Sequence, residues 1–220
     1  MKARPGRGLS RRPSGEPSTQ DGVRLRRVNR WLAEDMREDL ADLYEKSCAT
    51  VPSESYRRRS RLDFLSRLSD DTRRPGFAMV IAETQGIVGC ACGFPVRSDG
   101  FWWRGFDGGL PRSVEQLTES GRVFAITHLL IRPRTRESDV ARSLQERLLA
   151  DHQASLGVTL VTQDDRPALV SLRSWGWRDL GEIRQSAGPA VFRVLVLPIG
   201  ERTVLRLEGL ARHAWTRWPG

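Results

Sequence analysis

The sequence predicts an α/β fold: a mixed, mostly antiparallel central sheet flanked by helices, behind a disordered N-terminal tail. Three observations predict it. In the first half, "FAMVIAE" and "IVGCACGF" flank the short turn "TQG", the pattern of a β-hairpin. Further on, "RVFAITHLLI" is a near-continuous apolar run, as expected of a central strand covered on both faces, and a helical pattern follows it. From there strands and helices alternate, which calls for some parallel pairing beside the antiparallel hairpin.

The elements follow in order along the chain. Residues 1–21 are rich in Pro, Gly, Ser and Arg without periodic apolar positions, and are expected to be a disordered basic tail. "VRLRRV" alternates well enough for an edge strand. Asn29 then stands as a helix cap before Leu32, Met36, Leu40 and Leu43, whose spacing predicts one amphipathic helix. A second helix is expected from Ser53, past Leu62, Leu65 and Leu68, to the breaker "RRPG". The hairpin spans Phe77 to Glu83 and Ile87 to Phe94. After the loop "GFWWRGFDGGLP" a short helix is expected over Ser113 to Ser120.

The apolar strand comes next, followed by a helix with apolar residues at Val140, Ala141, Leu144, Leu148 and Leu149. "GVTLVT", "GWRDLGEI" and "AVFRVLVLPI" read as strands and "RPALVSLRSW" as a short helix. Residues 22–199 are thus expected to form one domain, with 200–220 as a C-terminal amphipathic extension. Val204, Leu207, Ala211, Trp215 and Trp218 of that extension fall at helical spacing, which suits docking on its own domain or on a second copy in a homodimer.

Composition narrows the classes of function. With 220 residues and 39% hydrophobic content, the chain can bury one full core. The net charge is +9, but the first twenty residues hold five basic side chains against Glu16 alone, so the excess elsewhere is modest. No aromatic residue interleaves with the arginines of the tail and no recognition module follows them, which argues against nucleic-acid binding. No run approaches the ~18 apolar residues of a membrane span. Cys48, Cys90 and Cys92 make no paired framework, and a cytoplasmic location is expected. With His128, His152 and His213 as the only histidines, no metal-ligand pattern emerges. No G-x-S-x-G turn is present to support a hydrolase.

The stretch "LLIRPRTRESDVARSLQERLL" runs from a buried strand through a basic turn into a helix, which suits an anion, because the first N–H groups of a helix lack partners and its dipole is positive there. With the strand before it and "DDRPALVSLRSWGW" after it, this order resembles the GCN5-related N-acetyltransferase (GNAT) family over Val23 to Leu197, most closely from Phe124 to Glu182. The resemblance implies an acyl-CoA N-acyltransferase-like fold, with acetyl-CoA as acyl donor in a V between two splayed parallel strands. The family's diphosphate turn, Gln/Arg-x-x-Gly-x-Gly/Ala, maps onto Arg136, Glu137, Ser138, Asp139, Val140 and Ala141. Asp139 replaces the glycine; Arg132, Arg134, Arg136 and Arg142 supply compensating charge. The alternative is a helix terminus filled by its own Ser138 cap and Asp139.

The resemblance further implies that backbone at Leu129, Leu130 and Ile131 receives the coenzyme and polarises its thioester. A carboxylate commonly serves as base on the central strand; here His128 takes that place, with Glu83 as the other candidate and a structural histidine as the alternative. Leu172 stands where the family often has a tyrosine acid, while Ala168 and the Gly176–Trp177 turn fit; Ser171 and Ser174 are nearby hydroxyls. The expected activity is acetyl transfer to a primary amine on a small molecule or peptide. A noncatalytic GNAT-like binding module is the other reading.

Overall fold

A computed structural model describes residues 22–47, 54–133, 137–184 and 191–200, the side chains of 54–59 and 137 excepted. Seven strands form one sheet in the order β1-β2-β3-β4-β5-β7-β6. Strand β1 (Arg24–Val28) pairs with β2 (Ala78–Glu83), β2 with β3 (Ile87–Pro95), and β3 with β4 (Val123–Ile131), all antiparallel. Strand β5 (Leu156–Thr162) lies parallel to β4 and antiparallel to β7 (Val191–Pro198), which pairs in turn with β6 (Arg178–Arg184). The mixed, mostly antiparallel sheet is the one the sequence predicts. Its single parallel pair is β4–β5, because the last strand inserts between β5 and β6 instead of joining an edge.

Helices cover both faces. On one face, α1 (Arg30–Asp35), α2 (Arg37–Ser47) and α3 (Glu54–Thr72) bury Ala33, Leu40, Leu43, Phe64 and Leu68 against Met79, Ile81, Cys90, Cys92 and Leu130. Farther along the same face, α4 (Arg112–Glu119) buries Val114. On the other, α5 (Glu137–Asp151) and α6 (Arg166–Ser174) bury Val140, Ala141, Leu144, Leu169 and Leu172. Asn29 caps α1 as expected, its side chain accepting the Leu32 N–H at 2.9 Å. The single helix expected after it is interrupted at Met36, whose φ of −92° and ψ of 9° close α1 before α2 begins. The buried stripe of α3 differs from expectation in part: Leu68 is buried and Leu65 packs on the same core as expected, but Phe64 joins them while Leu62 is 62% exposed.

Two features of β4 shape the molecule. Cys92 pairs with His128 but Gly93 with Ile126, so Thr127 is an extra residue, a β-bulge. The bulge reverses the alternation of faces. Ahead of it Phe124 and Ile126 pack toward α5; beyond it Leu129 and Ile131 do so, while His128 and Leu130 turn toward α2 and α3. The second feature is the brevity of the parallel pairing, which joins only Val123–Ala125 to Leu156–Val158.

Candidate active site

Beyond Ala125 and Val158 the two central strands part. Among the described residues, Ile126–Ile131 of β4 keep their partner β3 on one edge and have no strand on the other, and Thr159–Thr162 of β5 likewise pair only with β7. Alternate backbone groups of each strand therefore point into a V-shaped gap without a ladder partner. Leu129, Leu130 and Ile131 lie on this stretch with their side chains committed to the two cores; the main-chain groups of Leu129 and Ile131 turn to the gap, while Leu130 stands opposite Cys90 of β3. A flexible chain carrying amide groups can pair there as a strand would.

Helix α5 follows β4 after residues 132–136. Ser138 and Asp139 are exposed in its first turn, Val140 and Ala141 are buried beneath, and Arg142 is exposed. Among the described residues the Asp139 carboxylate accepts no hydrogen bond from the first amides of α5. Glu137 opens the helix; Arg134 and Arg136 lie outside the described residues. Arg132 serves the sheet itself. Its N–H donates to the Val88 carbonyl and its guanidinium to the Ile87 carbonyl, each at 2.8 Å, closing the end of β4 onto β3.

His128 is the titratable group that the bulge delivers to the opposite face of this gap. Its ring meets Phe64 edge-on, with centroids 5.0 Å apart, and its Nε2 lies 3.7 Å from a carboxylate oxygen of Asp71 at the end of α3. Nε2 is buried without a hydrogen-bond partner, yet the side chain keeps 11% of its surface accessible, so that surface belongs to the rest of the side chain. Burial brings the imidazole from its usual 6.5 down to about 4, with the Arg67 charge pushing the same way. Burial also raises the Asp71 carboxyl, against the opposing Thr127 hydroxyl and Arg74 charge. Both shifts have one cause, the removal of charge from water.

The sign of the pH effect follows. Between about pH 4 and 6.5 the unfolded chain binds a proton at His128 that the folded chain does not, so this histidine's contribution is complete above pH 6.5 and is lost as pH falls toward 4. Asp71, raised by burial, acts in the opposite sense: its contribution is present at low pH and is lost as pH rises through its folded value. His128→Gln is expected to flatten the acid side of a stability–pH curve by up to about 3 kcal/mol across that window. Thermal melts of both proteins at stepped pH check this; an unchanged acid slope would contradict it.

The structure does not bring Glu83 to His128. Glu83 ends β2, two strands from β4, and grips Arg26 of β1 through bonds of 2.9 and 3.2 Å. The Arg26 guanidinium holds its carboxyl below the usual range, which suits a fastener of the sheet edge and not a base. Leu172 is buried in the α5–α6 core, and the Ser174 hydroxyl donates to the Ser171 carbonyl within its own helix. Trp177 packs into the same core and its indole N–H donates to Gln145 of α5, which ties the turn after α6 to the helix beside the gap. Gly176, at a φ of +98°, makes that turn.

The aromatic loop is an anchor, as bulky residues among glycines usually are. Trp103 is buried with its N–H on the Thr118 hydroxyl at 3.1 Å, Trp102 meets Phe94, and Phe106 bridges to Ile183. Cys90 and Cys92 are buried free thiols, the first pushed up to about 12 by burial. Among the described residues no group of His, Cys, Asp and Glu is arranged to hold a metal ion, and no helix is long and apolar enough to cross a membrane. Asp71 and Thr127 are the functional candidates that sequence reasoning missed. The signal for the first was the run Phe64, Leu68, Asp71, which puts an acid on the apolar stripe of its helix.

No family model matches the chain, and no curated protein matches it by sequence. Solved structures do match. An acetyltransferase assigned to the GNAT family from Desulfovibrio desulfuricans aligns over 81% of this chain and 100% of its own, with a TM-score of 0.52 at 14% identity. An aminoglycoside 6'-acetyltransferase of type Ii aligns over 81% and 99%, at 0.51 and 12%. A protein assigned as an acetyltransferase from Staphylococcus epidermidis aligns over 81% and 100%, at 0.51 and 10%. The mixed, mostly antiparallel seven-stranded sheet flanked by helices matches the acyl-CoA N-acyltransferase fold. The chain has the GNAT fold.

Proposed function

We propose that this chain is an N-acetyltransferase that moves the acetyl group of acetyl-CoA onto a primary amine of a small molecule or peptide. The observation that carries the reading is the unpaired edge of β4 beyond Ala125, opposite an equally unpaired edge of β5. An extended chain with amides, such as the pantetheine arm of coenzyme A, pairs with such an edge as a third strand would. Leu129 and Ile131, on either side of Leu130, offer that edge, with N–H groups for the thioester oxygen. The first turn of α5, at Glu137, Ser138, Asp139, Val140 and Ala141, with Arg142 next in the helix and Arg136 preceding it in sequence, takes the diphosphate. Asp139 is exposed, so its charge weakens that hold by repulsion that water partly screens.

His128, neutral at physiological pH because of its burial, takes the acceptor's proton as the amine attacks the thioester directly. With a leucine at 172, the sulfur departs without a tyrosine acid, which a thiol with a pKa of about 8 to 9 tolerates. Loss of that acid slows chemistry and leaves coenzyme binding intact, so it does not by itself favour the noncatalytic module. Buried free thiols at Cys90 and Cys92 suit the reducing cytoplasm.

Acetyl-CoA is expected to raise the melting temperature of the protein, and Asp139→Gly to enlarge the rise by restoring close approach to the helix amides. A flat response from both proteins, with no heat on calorimetric titration, would reject coenzyme binding.

A further inference from the structure

Helix α3 delivers a carboxylate where its own pattern calls for an apolar residue. Phe64, Leu68 and Asp71 follow one another on the buried stripe, and Asp71 is only 8% exposed. A buried carboxylate costs several kcal/mol unless a partner holds it, and a leucine there would simply pack. Asp71 is thus the part of the α3–β4 contact that packing does not explain. Its surroundings are specific: the Thr127 hydroxyl and His128 from β4, Cys92 from β3, and the charges of Arg67, Asp70 and Arg74 from α3 and its exit. The bulge itself puts Thr127 and His128 together on this side of the strand.

We propose that Asp71 is the positioning partner of His128: its carboxylate takes the Nε2–H and leaves the Nδ1 lone pair to receive the proton of the acceptor amine. This rests on the acetyltransferase reading for its chemistry, though not for its geometry. A neutral imidazole carries one proton on one nitrogen and a lone pair on the other, so fixing the proton on the buried Nε2 selects the base-competent tautomer. The carboxylate also offsets the penalty of charging a buried ring. In the reaction the N–C bond forms as the C–S bond breaks, and the electron pair of that bond leaves with sulfur. The amine proton passes to Nδ1, and the thiolate takes a proton from the imidazolium or from water. At 3.7 Å the pair stands at ion-pair distance, longer than a closed hydrogen bond; contacts of this kind commonly tighten once substrate is bound.

Imidazole NMR of the full chain, uniformly labelled with nitrogen-15 and with His128 assigned through His128→Gln, tests this without an acceptor. The expected wild-type spectrum has one ring proton, on the buried Nε2, and a bare Nδ1. Asp71→Leu, which suits the apolar stripe, should shift part of that proton population to Nδ1. A proton on Nδ1 in wild type, or a spectrum unchanged by Asp71→Leu, would overturn the assignment. Should Asp71→Leu fail to fold, the wild-type spectrum alone decides. Acetyl-CoA added to the same sample separates the two ideas: no binding with the expected proton removes the acetyltransferase reading and spares the Asp71–His128 pair. Binding with the proton on Nδ1 does the reverse.

Discussion

Replacing His128 with glutamine is expected to lower turnover by about 100- to 10,000-fold at saturating acetyl-CoA and excess amine, the usual contribution of a positioned acid or base. Coenzyme affinity should change by less than about twofold, because the β4 edge and the α5 terminus are main-chain features that the substitution leaves alone. The magnitude follows from burial. Charging this imidazole inside the protein is penalised, so the ring is neutral and able to accept a proton at every pH above about 4. The same penalty weakens its pull on the proton, and the Asp71 carboxylate 3.7 Å away works against that. The acid limb of kcat/KM should therefore lie well below 6.5, the value an exposed histidine would give. Steady-state kinetics across pH check both statements. Turnover unchanged in His128→Gln would remove this residue from the chemistry, and parallel losses of kcat and coenzyme affinity would make its role structural.

Gly93→Ala is expected to destabilise the fold by at least about 3 kcal/mol, the upper range for overpacking a core. A Cβ at Gly93 would stand 1.7 Å from the Ala125 carbonyl oxygen, and the obstacle is backbone, which cannot swing aside. Gly93 faces Ile126 at the position where β4 bulges, so relief would require the bulge to move. Moving it turns His128 to the other face and shifts the edge that borders the gap. Stability and function should thus fail together. Gly86→Ala is the matched control, with nothing within 4 Å of its added Cβ, and should stay within about 0.5 kcal/mol of wild type. Chemical denaturation of the three proteins measures the difference; equal midpoints would show that the strand pair yields more easily than its geometry implies.

Periodicity made most elements legible, because apolar spacing reports which face a segment buries. The hairpin, β4 and α6 stand within a residue or two of their expected bounds, and the five apolar positions expected of α5 are all buried. What periodicity does not encode is the neighbour of each strand. That β7 lies between β5 and β6 is a long-range choice, and so is the placing of Glu83 beside Arg26 and not beside His128. Helix phase is ambiguous for α3, where leucines at 62, 65 and 68 suggest one stripe and Phe64 with Leu68 forms the buried one. Asp71 is hidden on that account: with the wrong phase it reads as the second of two surface acids in "SDDT". The bulge is hidden as well, since a single inserted residue leaves a continuous apolar run looking continuous. Expectations for residues 1–21 and 201–220, and for Cys48, fall outside the described residues.

The central claim is that the open edge of β4 receives the donor's amide-bearing arm, and hydrogen exchange tests it directly. The peptide amides of Ile126–Ile131 and of the first turn of α5 should exchange more slowly with acetyl-CoA than without it, while β1 and β2 keep their rates. Protection elsewhere, with those amides unchanged at saturating acetyl-CoA, would contradict the account.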